Sequence, residues 1–131
     1  MKNEIYNNVK SKKALNKLIN SGYYKGIIDS SRIELRRKIV FPYGTNYLII
    51  GKIQAKNKIR IKAELKSGMK ISIIIFLTLV TVAFIYLLII KNWVILIILT
   101  LITIQIFLSI HYGLNKELKI FLNQYQKFYS T

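Results

Sequence analysis

Residues 71–110 read ISIIIFLTLVTVAFIYLLIIKNWVILIILTLITIQIFLSI, and this stretch decides the fold. Its one charged residue is Lys91, close to the middle. An α-helix rises about 1.5 Å per residue and the hydrocarbon core of a bilayer is roughly 30 Å thick, so about 20 apolar residues cross it. The stretch therefore predicts two transmembrane helices, at residues 71–90 and 93–111, joined by a short turn as a hairpin.

The alternative is a soluble helical protein in which the same hairpin is buried, because buried helices are also apolar on every side. Neither apolar run has a polar stripe. The 90 residues outside 71–111 are too few to surround two such helices. The membrane interpretation is therefore favoured.

The distribution of charge predicts the orientation. Residues 1–70 contain 17 basic and four acidic residues, and residues 112–131 contain three basic residues and one acidic residue. Basic residues close to membrane segments stay on the cytoplasmic side. Residues 1–31 contain no apolar run of the kind a cleavable secretory signal needs. We therefore expect an inner-membrane protein with both termini in the cytoplasm.

Residues 1–70 are predicted to form a basic cytoplasmic domain. Apolar residues at helical spacing predict a helix at 4–20, with Ser21 and Gly22 as its stop. Period-two alternation and turn residues predict strands at about 23–28, 32–41, 47–53 and 58–65. Short loops between them favour an antiparallel meander, and glycines inside strands are typical of close packing contacts.

Residues 112–131 are predicted to form an amphipathic cytoplasmic helix. Its apolar face consists of Leu114, Leu118, Phe121, Leu122, Tyr125, Phe128 and Tyr129. Either the sheet or the membrane interface would cover that face, and we favour the sheet because a small sheet is marginal without a helix on it. The predicted fold class is an α+β membrane protein: a small antiparallel β-sheet domain with flanking helices, plus a two-helix transmembrane hairpin.

The chain has few residues suited to catalysis. It has no cysteine, one histidine, scattered acidic residues and no glycine-rich phosphate loop. We therefore expect no enzyme activity and assign no catalytic, cofactor-binding or metal-binding residue.

Basic residues on the predicted strands and at the start of the first span are the main functional signal. We expect this set to face anionic lipid headgroups: Arg32, Arg36, Lys38, Lys58, Arg60, Lys62, Lys66 and Lys70. Each basic residue close to an anionic leaflet contributes on the order of 1 kcal/mol. The alternative is a solvated basic surface that only sets the topology.

Polar residues inside the spans are uncharged. Gln105 and Ser109 are four residues apart and share one side of the second helix. Because a glutamine amide in lipid is stabilised by a neighbouring helix, both residues are predicted to mediate helix–helix packing in the membrane.

Several segments carry a resemblance to a known type of protein. They are the YKGI segment at residues 24–27, the IGKI segment at residues 50–53 and the basic strand at residues 58–62, followed by the hairpin and the basic tail. In this order they resemble small bacterial membrane proteins that have a basic cytoplasmic β region before a two-helix transmembrane hairpin. That resemblance implies a bacterial inner-membrane setting, and it assigns no activity to any residue.

These observations favour a non-enzymatic binding, regulatory or accessory role at the membrane surface, as in an immunity or stress factor. Expected partners are the bilayer and its anionic headgroups, with an unidentified protein partner or a homo-oligomer also compatible. The first alternative is a small oligomeric channel or permeabilising protein lined by Thr78, Thr81, Thr100, Thr103 and Gln105. A membrane-tethered nucleic-acid binder is the second alternative, and it is disfavoured because no nucleic-acid-binding motif is present.

Overall fold

A computed structural model describes residues 4–29, 32–38, 47–54 and 57–131. The elements are β1 (Glu4–Tyr6), α1 (Val9–Asn20), β2 (Tyr24–Ile28), β3 (Arg32–Arg37), β4 (Tyr47–Gln54), β5 (Lys58–Leu65), α2 (Ser67–Ile89) and α3 (Trp93–Ser130). They divide between two compact units. The first unit comprises Met1–Leu65 and Leu114–Thr131, and the second comprises Lys66–Gly113.

The first unit contains a five-stranded sheet in the order β1-β5-β4-β3-β2, and each neighbouring pair is antiparallel. Four strands follow one another as the predicted meander, and the α+β class is confirmed. The predicted strand at 32–41 continues only to Arg37, and its portion from residue 39 lies outside the described residues.

The predicted helix at 4–20 is wrong at its start, because Glu4–Tyr6 forms β1 and pairs with β5. The helix begins instead at Val9, where Asn8 is the N-cap and its side chain accepts a hydrogen bond of 2.7 Å from Ser11 N. It ends at Asn20, as predicted. Gly22 follows with a φ of +80°, a left-handed conformation that favours glycine.

One face of the sheet is covered by α1 and by the C-terminal part of α3. We call it the covered face. Helical spacing on α1 buries Ser11, Ala14, Leu15 and Leu18, and on α3 it buries Glu117, Phe121, Leu122 and Tyr125. Apart from the polar Ser11 and Glu117, these side chains form one hydrophobic core with inward residues of all five strands: Ile5, Tyr24, Ile33, Leu35, Ile49, Ile59 and Ile61. The prediction that the C-terminal helix packs on the sheet is therefore confirmed.

At two glycines, neighbouring strands approach so closely that a side chain would not fit. A Cβ on Gly26 would lie 2.0 Å from the backbone oxygen of Glu34 on the neighbouring strand. A Cβ on Gly51 would lie 3.0 Å from Cβ of Ile33 and from Cγ2 of Ile59. Both glycines are thus close packing contacts of the kind the sequence predicts.

The second unit contains α2 and the first part of α3. Both helices are long and apolar enough to cross a membrane. Leu87 is the one buried residue in α2. The segments predicted separately at 93–111 and 112–131 belong to a single helix in the structure, Trp93–Ser130.

Candidate functional site

Among the described residues of the first unit, no helix covers the second face of the sheet, and we call this face the open face. Its charged residues project on the side opposite to the strand residues that form the core with α1 and α3, because side chains alternate along a strand. The basic members are Lys25, Arg32, Arg36, Lys52, Lys58, Arg60 and Lys62, and the acidic members are Glu4, Glu34 and Glu64. The open face therefore has a net positive charge.

Three basic residues lie directly opposite one another across three strands. Arg60 on β5 pairs with Lys52 on β4, and Lys52 pairs with Arg32 on β3. Residues in such register have Cβ atoms about 4.5–5.5 Å apart, and like charges in this position are destabilising. We call Arg60, Lys52 and Arg32 the basic row. A second pair of like charges lies opposite each other on β2 and β3, namely Lys25 and Arg36.

Acidic residues neutralise the ends of the basic row. Glu4 Oε1 lies 3.9 Å from Arg60 Nη2, and Glu34 Oε2 lies 2.8 Å from Arg32 Nη2. Lys52, between them, has no ion pair within residues 4–29, 32–38, 47–54 and 57–131. The centre of the row is therefore a lysine without an acidic counterpart among the described side chains.

A depression of about 140 Å³ adjoins the centre of the basic row. Ile50 is one of its lining residues and is only 7% exposed. The described residues that line it are Ile50, Lys52, Gln54, Arg60, Lys62 and Glu64. An engineered protein cavity of about 150 Å³ holds benzene, so this depression is large enough for a phosphate-sized group.

The structure brings together five of the eight basic residues predicted from the sequence, namely Arg32, Arg36, Lys58, Arg60 and Lys62. The other three lie outside the strands. Lys38 follows β3, where its backbone N–H donates to Tyr23 O at 2.8 Å. Lys66 is the N-cap of α2 and Lys70 lies in its first turn, both in the second unit.

Sequence reasoning missed Lys25 and Lys52 as members of this face. Alternation within β4 contained a signal for Lys52, since it shares a side with Ile50 while Ile49 and Gly51 take the other. The position of Lys52 between two arginines depends on strand register, which no local pattern specifies.

The covered face contains a charged contact that joins α3 to β3. Arg37 donates two hydrogen bonds to the Glu117 carboxylate, from Nη2 to Oε1 and from Nε to Oε2, the second at 3.1 Å. Glu117 is buried, whereas the Arg37 side chain is 31% exposed. Two-point contacts of this kind fix orientation as well as distance, so they position the end of β3.

Aromatic side chains also belong to the core on the covered face. The Tyr24 ring meets Phe121 edge-on, at 5.6 Å between centroids, and Tyr125 donates a hydrogen bond of 2.9 Å to Ser11 Oγ. The pKa of Tyr24 is raised to about 12, mainly by burial and also by the nearby Glu117 carboxylate, while Arg37 lowers it. Burial also raises the pKa of Tyr125, and its side-chain hydrogen bond with Ser11 acts in the opposite direction.

Within the described residues, no group of three His, Asp or Glu side chains comes together as a metal site would require. No protein-family model, curated protein or solved structure matches the chain.

Proposed function

We propose that the protein spans a bilayer twice and that the open face of its cytoplasmic domain binds anionic phospholipid headgroups. The proposed setting is a bacterial inner membrane. The role is one of binding rather than catalysis, as in an accessory, immunity or stress factor at the membrane surface.

The apolar helices support the membrane part of this proposal. At about 1.5 Å per residue the 23 residues of α2 extend roughly 35 Å, enough for a hydrocarbon core of about 30 Å. Large apolar side chains along both helices are exposed in the chain, for example Ile74 at 62%, Leu79 at 65% and Val94 at 69%. Soluble monomers rarely expose such continuous apolar surface, and lipid would cover it.

Basic residues at the ends of the apolar segments support a cytoplasmic location for both termini. Lys62, Lys66 and Lys70 precede the first segment, whereas Lys116 and Lys119 follow the second. The turn between the segments has a single basic residue, Lys91, so basic residues are more numerous beside the outer ends of the two segments. Basic residues near membrane segments stay on the cytoplasmic side, which favours a cytoplasmic location for both termini.

The observation that carries the headgroup proposal is the basic row. Three cations in adjacent cross-strand positions repel one another, and Lys52 at the centre has no acidic counterpart in the described part of the chain. A phosphodiester seated in the adjoining depression would offset this repulsion, because Lys52, Arg60 and Lys62 all line it. Each basic side chain near an anionic leaflet contributes on the order of 1 kcal/mol of binding free energy, so three or four of them are enough to orient a small domain there.

The test uses the full chain in lipid nanodiscs, with a fluorophore on one introduced cysteine. Gln54→Cys labels a residue that lines the depression, and Asn16→Cys labels an exposed position on α1. A quencher attached to the lipid headgroups then reports how close each label comes to the membrane surface. We expect stronger quenching of the Gln54 label in phosphatidylglycerol than in phosphatidylcholine, with the difference lost at high salt.

The Asn16 label is the matched control, and its quenching is expected to be the same in both lipids. Equal quenching of the Gln54 label in anionic and zwitterionic nanodiscs would overturn headgroup binding by the open face. Release of the full chain from membranes by alkaline carbonate would overturn the membrane-spanning part.

A further inference from the structure

Five hydroxyl groups in the apolar helices are satisfied inside their own helix. Each donates to the carbonyl oxygen four residues earlier, at distances of 2.8–3.0 Å. This holds for Ser72, Thr78, Thr81, Thr100 and Thr103. In lipid these residues therefore need no outside partner.

Gln105 differs from them. Its side chain is exposed. Its amide has no hydrogen-bond partner among the residues that the structure describes. A primary amide offers two donors and an acceptor, and it cannot reach its own helix backbone as easily as a hydroxyl does. An unsatisfied amide within a bilayer is costly, so the residue needs a partner at the same depth.

Gln105 also points away from the hairpin interior. Half-buried residues on this part of α3 recur at alternating spacings of three and four, at Leu96, Leu99, Thr103, Ile106 and Ile110. At about 100° per residue, Gln105 lies about 140° around the helix axis from the centre of that stripe. Ser109 is exposed one turn further along the same side as Gln105. The side that carries both polar residues is therefore not used inside the hairpin.

We propose that Gln105 pairs with Gln105 of a second copy of this chain, across a two-fold axis in the membrane. The partner is a second copy because an amide is self-complementary: each side chain donates to the carbonyl oxygen of the other. A second copy also presents that amide at the required depth without further adjustment, and a two-fold interface uses the same patch on both chains. This inference rests on the bilayer-spanning arrangement proposed above.

The experiment cross-links the full chain in liposomes through single cysteines, since the natural sequence has none. Ser109→Cys lies on the proposed interface. Phe107→Cys, also exposed, lies on nearly the opposite side of α3 and is the matched control. Oxidation is expected to give covalent dimers with Ser109→Cys and monomers with Phe107→Cys.

Gln105 is then varied in the Ser109→Cys background. Gln105→Leu is expected to weaken dimerisation by about threefold to thirtyfold, the range for interhelical hydrogen bonds in membranes. Gln105→Asn keeps an amide and is expected to retain more of the cross-linking than Gln105→Leu does.

Carbonate extraction distinguishes a failure of the proposed Gln105 pairing from a failure of the proposed membrane-spanning arrangement. A chain that resists extraction but stays monomeric, or dimerises equally well with Gln105→Leu, overturns the inference and leaves the spanning arrangement standing. Release by carbonate overturns both.

Discussion

Arg37 and Glu117 are 80 residues apart in the chain and form a two-point ion pair on the covered side of the sheet. Their contact joins the end of β3 to the C-terminal part of α3. Because Glu117 is buried and Arg37 only partly exposed, removing one partner leaves a charge in an apolar setting.

Glu117→Gln is expected to lower the free energy of unfolding of the first unit by about 2 kcal/mol. This is below the 3–5 kcal/mol typical of a fully buried pair, because solvent reaches the exposed part of Arg37. Urea unfolding of the full chain in detergent, followed by near-UV circular dichroism of the core tyrosines, measures it. Glu34→Gln breaks the exposed pair with Arg32 and is expected to cost less than about 0.5 kcal/mol. Equal losses in the two variants would contradict the burial argument.

Removing the Tyr24 hydroxyl is not expected to destabilise the protein. Tyr24 is 1% exposed, and its hydroxyl has no hydrogen-bond partner within the described part of the chain. Tyr24→Phe is therefore expected to leave the free energy of unfolding unchanged or raise it by about 1 kcal/mol. Tyr125→Phe removes a hydrogen bond to Ser11, which is itself buried, and is expected to cost about 1 kcal/mol. A loss at both positions would show that Tyr24 has a partner.

The same hydroxyl predicts a pH dependence. Burial raises the pKa of Tyr24 in the folded protein to about 12, from an ordinary value of 10.0. A raised folded-state pKa means that folding favours the neutral form of Tyr24 over the phenolate. The contribution of this group to the free energy of unfolding is complete below pH 10 and is lost as the pH rises through 12. At about 1.4 kcal/mol per pKa unit the loss is roughly 3 kcal/mol. The difference in alkaline stability between the natural chain and Tyr24→Phe isolates this contribution, and parallel curves for the two would contradict it.

Local patterns in the sequence predict the elements whose side chains alternate regularly. In β5 the alternation of Ile59 and Ile61 with basic residues specifies both the strand and its buried face, and the apolar spacing from Leu114 onward specifies a helix that packs on the sheet. β1 has no such pattern. Its three residues are a strand because they pair with residues 58–60 of β5, more than 50 residues away, and that pairing overrides the helical spacing.

The candidate site is only partly predictable for the same reason. Sequence alternation identifies Arg60 and Arg32 as outward-facing residues of separate strands. It does not show that Lys52 lies between them, because cross-strand register is a tertiary property. The direction of Gln105 likewise depends on which stripe of α3 the hairpin uses.

Gly26→Ala is expected to destabilise the sheet by on the order of 2–4 kcal/mol, because its Cβ would lie 2.0 Å from Glu34 O and β2 would have to move away from β3. Gly22→Ala is the control for conformational strain alone. It has a positive φ with no atom within 4 Å of the added Cβ, and is expected to cost about 1–2 kcal/mol. Hydrogen exchange of β2 amides reports the local effect, and protection equal to that of the natural chain in Gly26→Ala would contradict the expectation.

Cysteines introduced at the turn and at the C-terminus test the proposed orientation. Asn92→Cys, between α2 and α3, is expected to react with a membrane-impermeant maleimide in intact cells. Ser130→Cys is expected to react only after the cells are permeabilised. The reverse pattern would place the basic domain outside, against the distribution of basic residues.

Lys52→Gln is expected to change binding and stability in opposite directions. It removes one cation from the open face, so the preference of the Gln54 label for phosphatidylglycerol over phosphatidylcholine should fall by about fivefold. It also removes the repulsion between Lys52 and the two flanking arginines, so the free energy of unfolding should rise by a few tenths to about 1 kcal/mol.

Lys12→Gln makes the same change in net charge at an exposed position on α1, away from the open face. It is expected to leave both quantities nearly unchanged. A residue that lowers stability yet improves binding is retained for the binding, since selection for stability alone would replace it. Equal effects of Lys52→Gln and Lys12→Gln on the lipid preference would instead show that the domain responds to its overall charge, and that the basic row is not a binding site.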